Sequence, residues 1–235
     1  MATLLPVLPG QSQGPEDWDQ DFAREILPEL VEGLWLTFRI TLAALAIAVI
    51  GGLVLALLRR SRWRIIRWPV GFVIEFIRST PLLVQIFFVY FVFPEFDVVL
   101  EPMTAAVGTL GVHYATYMSE SYRAGIDAVP AGQWEASTAL NLSSPTTWRA
   151  VILPQAVPTV IPALGNYLVS ALKDAPVVAV TVSLLDVLGT ANDIQGDFFR
   201  GTEPYTIAGL LFLALSIPLS IFARVLEKRY GYQRD

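Results

Sequence analysis

The residues best placed for chemistry are charged side chains that stand inside long apolar stretches of this 235-residue chain. A charge inside a bilayer costs about 3 kcal/mol or more, so such residues are normally paired or face a water-filled path. Two uses therefore stay open: structural ion pairs or membrane-edge anchors, and a polar route for a solute. The candidates form three short-range pairs: Glu75 with Arg78, Glu120 with Arg123, and Lys173 with Asp174.

One face of the third apolar stretch collects several polar groups. His113, Tyr117 and Glu120 follow at spacings of four and three, so an α-helix places them on one side. In the fourth stretch Lys173 and Asp174 lie among prolines, and we predict that the helix breaks near Lys173. Irregular backbone at membrane depth is tolerated where it lines a cavity or is buried in protein. The pattern favours a solute pathway through both stretches, with a local helix-break clamp at Lys173 as the structural alternative.

The pathway residues carry groups of both charges. Lys173 can attract a carboxylate, Asp174 or Glu120 can attract a cation, and a tyrosine ring can stack on that cation. The predicted pathway residues are His113, Tyr117, Glu120, Asn166, Lys173, Asp174, Glu75 and Arg78.

The chain lacks the residue patterns of an enzyme. It has one histidine and no cysteine, and it contains no G-x-x-x-x-G-K-[ST], H-E-x-x-H or G-x-S-x-G sequence. We therefore predict no catalytic residue, no metal site and no cofactor in this chain. Any ATP that drives it must be bound by another chain.

A polar, turn-rich stretch, residues 131–154, separates the third and fourth apolar stretches; we call it the docking segment. We predict two short helices at the membrane surface. Glu135 lies near the start of the first helix, where the helix dipole favours an acid. Asn141 is the predicted turn, because Asn tolerates the left-handed conformation better than most residues. Pro145 starts the second helix, and Pro154 starts the next apolar span.

Membrane-spanning helices must position these groups. Hydrophobic residues form 54% of the chain and the mean hydropathy is +0.54. They are concentrated in runs of about the ~20 residues that a bilayer requires. We predict an all-α integral membrane protein with a transmembrane domain at residues 34–230, in which Pro81 kinks the second span and residues 186–203 form an acidic loop. The five predicted spans are residues 34–58, 69–93, 103–123, 157–187 (broken) and 205–225.

Residues 1–33 are predicted to lie outside the membrane. The first part reads as a flexible tail and lacks the basic start and apolar core of a cleavable signal peptide. Residues 21–33 place Phe22, Ile26 and Leu30 on one face, which predicts a short interfacial helix. A solvated loop is the alternative.

Charge asymmetry predicts the orientation. Residues 59–67 and 224–229 are basic, whereas residues 94–101 and 186–203 are acidic. Because basic loops stay in the cytoplasm, the five spans place the N-terminus outside and the C-terminus inside. The docking segment then lies on the side where ATP is available.

The docking segment resembles the EAA loop of bacterial ABC import permeases, which reads Glu-Ala-Ala, three residues, Gly, nine residues, Ile-x-Leu-Pro. Ser137, Asn141 and Val151 replace the loop's second Ala, its Gly and its Ile. Residues 76–85, 122–126 and 165–174 resemble the polar amino-acid branch of these permeases, and the likeness covers residues 34–230. Residues 113–117 and 139–143 look most like ectoine and hydroxyectoine importer permeases. The residues that carry the loop and its expected ATPase coupling are Gly132, Glu135, Ala136, Asn141, Leu153 and Pro154.

The resemblance implies a type I importer permease in the cell membrane of a prokaryote. It implies a second permease subunit, identical or paralogous, and two ATPase subunits that bind ATP and Mg²⁺ on the cytoplasmic face. It also implies an extracytoplasmic solute-binding protein and transport by alternating access, with no nucleic acid involved. The implied solute is polar and zwitterionic, an amino acid or ectoine or hydroxyectoine, and the charged pathway residues would suit both of its groups. The alternative is an ATP-independent channel or an ion-coupled secondary transporter.

Overall fold

The computed structural model describes residues 18–230, and every regular element in that range is helical. A π-helical segment, Phe88–Val92, and a 3₁₀ turn, Phe93–Phe96, continue α3, and a π-helical segment, Thr147–Ile152, joins α6 to α7. The all-α prediction is confirmed. The helices are α1 Gln20–Arg59, α2 Arg64–Arg78, α3 Leu82–Phe87, α4 Pro102–Asp127, α5 Ala131–Ala139, α6 Ser144–Thr146, α7 Leu153–Thr181, α8 Val187–Phe198 and α9 Thr202–Tyr230.

The first helix, α1, unites the predicted interfacial helix and the first predicted span in 40 continuous residues. Asp19 caps it by accepting hydrogen bonds from the backbone N–H groups of Phe22 and Asp21. The bond from Phe22 above all holds the pKa of the Asp19 carboxyl below its usual range. Residues 21–33 are therefore helical rather than a solvated loop. The predicted tail at residues 1–17 lies outside the described residues.

The second predicted span is a broken helix rather than a kinked one. The axis of α2 and that of α3 with its continuation meet at 106°. Pro81 has no backbone N–H and disfavours a helical conformation at the residue before it, so residues 79–81 leave the helix. The side-chain amide of Gln85 donates to the carbonyls of Ile77 and Thr80 at 2.7 and 2.8 Å. These bonds satisfy acceptors that the break exposes.

The centre of the bundle is α4, which packs between α1 and α7. Gly52 and Gly111 bring α1 and α4 close together: a Cβ at Gly52 would lie 2.8 Å from the Met118 side chain, and one at Gly111 would lie 2.8 Å from Ile47. The buried residues of this core include Ile40, Ala44 and Ala48 of α1, Leu110, Tyr114 and Met118 of α4, and Ala171, Ala175 and Val178 of α7.

The predicted break near Lys173 is wrong. Helix α7 runs unbroken from Leu153 to Thr181, with Pro158, Pro162 and Pro176 inside it. Prolines are tolerated in membrane helices because neighbouring helices and local adjustment satisfy the freed backbone groups. Here the buried α7 face is held against α4, and that packing outweighs the local cost.

The stretch predicted as an acidic loop, residues 186–203, contains α8. Asp186 caps this helix, accepting hydrogen bonds from the N–H of Gly189 at 2.9 Å and from the Thr37 hydroxyl of α1 at 3.0 Å. Asp186 is fully buried, and burial raises the pKa of its carboxyl to about 6. The Asp186 carboxylate therefore caps α8, and this acidic residue does not indicate a solvated loop.

Three helical stretches of the described chain are long and apolar enough to cross a membrane: α1, the α6–α7 unit and α9. The bent pair of α2 and α3 makes a fourth if it counts as one span. Helix α4 has 26 residues, and polar side chains such as Glu120 and Arg123 lower its hydropathy. The count of five spans stays a prediction.

Candidate solute pocket and docking segment

A pocket of about 350 Å³ lies between the two central helices, α4 and α7. Of the predicted pathway residues, His113, Tyr117, Lys173 and Asp174 line it. The full lining is His113, Tyr114 and Tyr117 of α4 with Tyr167, Ser170, Lys173 and Asp174 of α7.

Three tyrosines form one wall of the pocket. The ring of Tyr114 lies 6.2 Å from those of Tyr117 and Tyr167, and the last two rings are 6.0 Å apart. The Tyr114 hydroxyl donates a hydrogen bond to Asp174 Oδ2 at 2.6 Å. A carboxylate therefore stands at the hydroxyl end of one ring in a cluster of three tyrosines, an arrangement that suits a cation.

The cation in the pocket has no ion-pair partner in the part of the chain that the structure describes. Lys173 is exposed and forms no ion pair with any of residues 18–230, although Asp174 is adjacent in sequence. Successive helical residues point about 100° apart, so the two side chains leave α7 in different directions. The pocket therefore presents a free ammonium and a tyrosine-bound carboxylate as separate groups.

Arg78 approaches the pocket from the end of α2. Its guanidinium lies 5.2 Å from the centre of the Tyr117 ring. Its ion pair with Glu75 is loose, at 4.0 Å, and Glu75 is largely exposed. The structure thus brings Arg78 to the rim and leaves Glu75 outside.

Glu120 is held in an ion-pair chain at one end of α1 and α4. It accepts hydrogen bonds from Arg123 at 2.8 and 3.1 Å, and Arg123 also binds Asp127 at 3.0 Å. Asp127 pairs in turn with Arg60. The geometry favours the structural use of Glu120 over a place in the pathway. Asn166 is exposed on α7 and does not line the pocket.

Sequence reasoning did not place Tyr167 or Ser170 in the pocket. Tyr167 precedes Asp174 by seven residues and Ser170 precedes it by four, so an unbroken helix puts all three on one face. The predicted break near Lys173 obscured that spacing. Gln85 was also missed as a support: its Oε1 lies 3.2 Å from His113 Nδ1.

The docking segment has the predicted first short helix, α5, and a turn after it, but the second helix is not separate: residues 144–181 form one continuous helical stretch. Asn141 has φ +53°, and its neighbour Leu142 donates from its N–H to the Ser137 carbonyl at 3.0 Å. This is the left-handed helix ending in which Gly is commonest. Trp134 of α5 packs edge-on against Trp148, with ring centres 5.4 Å apart. Pro154 lies inside a continuous helical stretch, so it does not start a new element.

The outer surface of the docking segment is free for a partner. Gly132, Glu135 and Ala136 are exposed on α5, and Leu153 is partly exposed at the start of α7. Glu135 forms no ion pair with any of the residues that the structure describes. In those same residues no cluster of three or more His, Cys, Asp or Glu side chains could hold a metal.

Comparison with known proteins identifies relatives over nearly the whole chain. The family model described as binding-protein-dependent transport system inner membrane component matches residues 25–232. A probable amino-acid ABC transporter permease of Sinorhizobium fredii is 43% identical over 206 residues, which cover 88% of this chain and 89% of that protein. The arginine transport system permease ArtQ of Bacillus subtilis is 34% identical over 212 residues, covering 89% and 96%.

A solved structure has the same fold. It is a crystal structure of an amino acid ABC transporter with histidines, and the matched chain is 33% identical with a TM-score of 0.84. The match covers 91% of this chain and 100% of that one.

Proposed function

This chain belongs to the family of binding-protein-dependent transport system inner membrane components, and on that premise we propose that it imports a polar, zwitterionic amino acid. The chain is the membrane permease subunit, and ATP hydrolysis belongs to a separate ATPase subunit. The relatives named for amino-acid and arginine transport support an amino-acid solute. Ectoine or hydroxyectoine is the finer alternative, which rests on the resemblance of residues 113–117 and 139–143.

The proposed solute class depends on one observation: Lys173 lines the pocket beside Asp174 and three tyrosines, and it has no ion-pair partner among residues 18–230. Lys173 is proposed to bind the solute carboxylate. Asp174 and the ring faces are proposed to bind its cation, since a cation over a tyrosine ring contributes about 0.5–2 kcal/mol. A purely hydrophobic or purely anionic solute would leave one of these groups unsatisfied.

Transport is proposed to proceed by alternating access. A second permease subunit, identical or paralogous, would complete the pathway, and an extracytoplasmic binding protein would deliver the solute. Two ATPase subunits would dock on the docking segment, with Glu135 paired to a basic group on one of them. Exposure of Glu135 and its lack of a partner among the described residues support this assignment.

The test is ATP-dependent uptake by liposomes that contain this chain with its ATPase, its second permease and the binding protein. Arginine, glutamine and ectoine serve as solutes. We expect Lys173→Met to lower uptake by about tenfold or more, since a hydrogen bond to a charged group contributes about 1.5–3 kcal/mol. Lys228→Met, at the exposed end of α9, is the matched control and should transport normally.

Uptake without ATP would support the channel or ion-coupled alternative. Unchanged uptake and unchanged solute preference in Lys173→Met would contradict the assignment of the pocket. Saturable uptake of ectoine in preference to both amino acids would favour the finer alternative.

A further inference from the structure

Helix α2 carries an apolar face that the rest of the described chain leaves uncovered. Only Gly71 and Ile74 of its 15 residues are buried. On the opposite side, large apolar residues recur at spacings of three, four and four, which places them in one stripe along the helix. Its members are 62–79% exposed: Ile65, Trp68, Phe72 and Phe76. A contiguous apolar surface of this kind marks contact with a membrane or a partner.

A run of arginines adjoins this stripe. Residues 59–67 contain five arginines and no acid. Arg60 pairs with Asp127, but the other four form no ion pair with any residue from 18 to 230. The Arg64 guanidinium lies 5.9 Å from the centre of the Trp68 ring. Arg64 and Arg67 occupy the first turn of α2, where the helix dipole disfavours cations. Their position therefore does not serve the stability of the helix.

A pocket of about 420 Å³ lies where the arginines meet the stripe, lined by Arg59, Arg67, Trp68, Gly71 and Phe72. Gly71 makes room for the Arg59 side chain, because an added Cβ would clash with its Nη1. The Arg67 carbonyl accepts a hydrogen bond from the same Nη1 at 3.3 Å. Arg59 is thus held in place while most of its N–H donors stay available for an anion.

We propose that this pocket binds the headgroup of an anionic phospholipid. The phosphate lies against Arg59 and Arg67, Trp68 sits at the level of the headgroups, and the acyl chains run along Phe72 and Phe76. Arginine binds phosphate through paired N–H donors, and tryptophan is enriched at the membrane surface. Arginines next to a helix with an apolar face are the usual mark of anionic-lipid recognition.

A lipid fits the surface better than a protein partner does. The cationic and apolar parts form one continuous strip along a helix that turns through 106° at its far end. A phospholipid has the same order of charge followed by hydrocarbon. The proposal does not depend on which solute is transported.

The test uses the absence of cysteine from the chain. A single cysteine introduced as Phe76→Cys carries a fluorophore, and the protein is placed in phosphatidylcholine nanodiscs. The discs contain a minor fraction of brominated lipid, which is either phosphatidylglycerol or phosphatidylcholine. We expect stronger quenching by brominated phosphatidylglycerol than by an equal fraction of brominated phosphatidylcholine.

Two variants and one control assign that preference to the pocket. Arg67→Gln should reduce the preference by about fivefold, since each basic residue near the surface contributes about 1 kcal/mol. Arg59→Gln with Arg67→Gln should abolish it. Removing two charges elsewhere, in Arg224→Gln with Lys228→Gln on α9, should leave it unchanged.

Equal quenching by the two lipids in the protein that carries only Phe76→Cys would overturn the proposal. An equal loss of the lipid preference in the α9 control variant would also overturn it. Absence of quenching by either lipid would mean that protein covers the stripe, which also overturns it. Solute uptake is measured separately, so failure of the transport proposal is distinguishable from failure of this one.

Discussion

The charged residues of the bundle divide into those bound within the chain and those left free. Glu120, Arg123 and Asp127 satisfy one another at one end of α4. Lys173 and Glu135 have no ion-pair partner among residues 18–230, and one enters the central pocket while the other lies on the docking segment. A free charge of this kind is available for a ligand or another subunit. Lys173 and Glu135 are therefore the residues from which function is best tested.

Glu135→Lys should abolish ATP-driven uptake and release the ATPase, while the chain stays inserted and folded. Reversing one partner leaves a charge without its counter-ion, which costs about 3–5 kcal/mol at a buried interface. The measurement is co-purification of the ATPase together with uptake. Glu95→Lys is the control, because Glu95 is also exposed but lies outside the docking segment. Normal co-purification and uptake in Glu135→Lys would refute the coupling role.

At the scale of elements, the break between α2 and α3 links backbone geometry to the pocket. The Gln85 amide bonds two carbonyls of the break, and its oxygen lies beside His113 on the pocket wall. One side chain thus fixes the 106° turn and joins it to α4. Arg78, at the end of α2 beside this turn, lies 5.2 Å from the centre of the Tyr117 ring.

Gln85→Leu should lower the thermal stability of the purified protein. It removes the Gln85 donor from the partly buried Thr80 carbonyl, at a cost of about 1–3 kcal/mol. It also removes one of the donors to the Ile77 carbonyl, which keeps the Thr80 N–H at 3.2 Å. For a chain of this size each kcal/mol lowers the melting temperature by about 2–4 °C. Gln155→Leu is the matched control, since Gln155 is exposed and its side-chain amide bonds the Val151 carbonyl of its own helical stretch, one turn away. Equal melting temperatures for the two variants would show that Gln85 does not hold the break.

Local sequence signals predicted the turns well and the helix interiors poorly. Asn141 was identified as a turn because its side chain tolerates a positive φ, and it has φ +53°. Pro81 marked a bend, although its size depends on how Gln85 and α4 hold the carbonyls beside it. The prolines near Lys173 were misread because packing of α7 against α4 keeps that helix intact. That error also hid Tyr167, which lies on the Asp174 face only in an unbroken helix.

Asn141→Val should uncouple the docking segment, whereas Asn141→Gly should preserve it. A β-branched residue at φ +53° costs about 1–2 kcal/mol, and glycine adopts this conformation without a penalty. The measurement is ATP hydrolysis stimulated by solute and binding protein. Leu140→Val is the control, because Leu140 precedes the turn with φ −80°. Equal stimulation in Asn141→Val and Leu140→Val would show that the turn does not transmit motion.

Over the whole molecule, ion pairs fix which ends of the helices lie on the same side. Arg60 and Asp127 join the end of α1 to the end of α4, so the residue-60 loop and the docking segment share a side. Asp19 and Arg200 join the start of α1 to the α8–α9 junction. Because α1 is one continuous helix, these two pairs lie at opposite ends of the bundle. The two ion pairs thus place the residue-60 loop and the docking segment on one side, as the charge asymmetry also does.

The orientation is predicted as N-out and C-in, with α1, the α2–α3 pair, α4, α7 and α9 as the crossings and α8 as an external helix. Fusions of a cytoplasm-active fluorescent reporter at Arg62 and Ser144 should be active, and fusions at Asp97 and Asp193 should be inactive. Alkaline phosphatase, active only outside, should give the reverse pattern at each site. The basic loop at residues 59–67 determines which end of the bundle is cytoplasmic, because positively charged loops stay in the cytoplasm. A cytoplasmic signal at Asp193 together with one at Arg62 would contradict both the crossing count and the opposition of the two ion pairs.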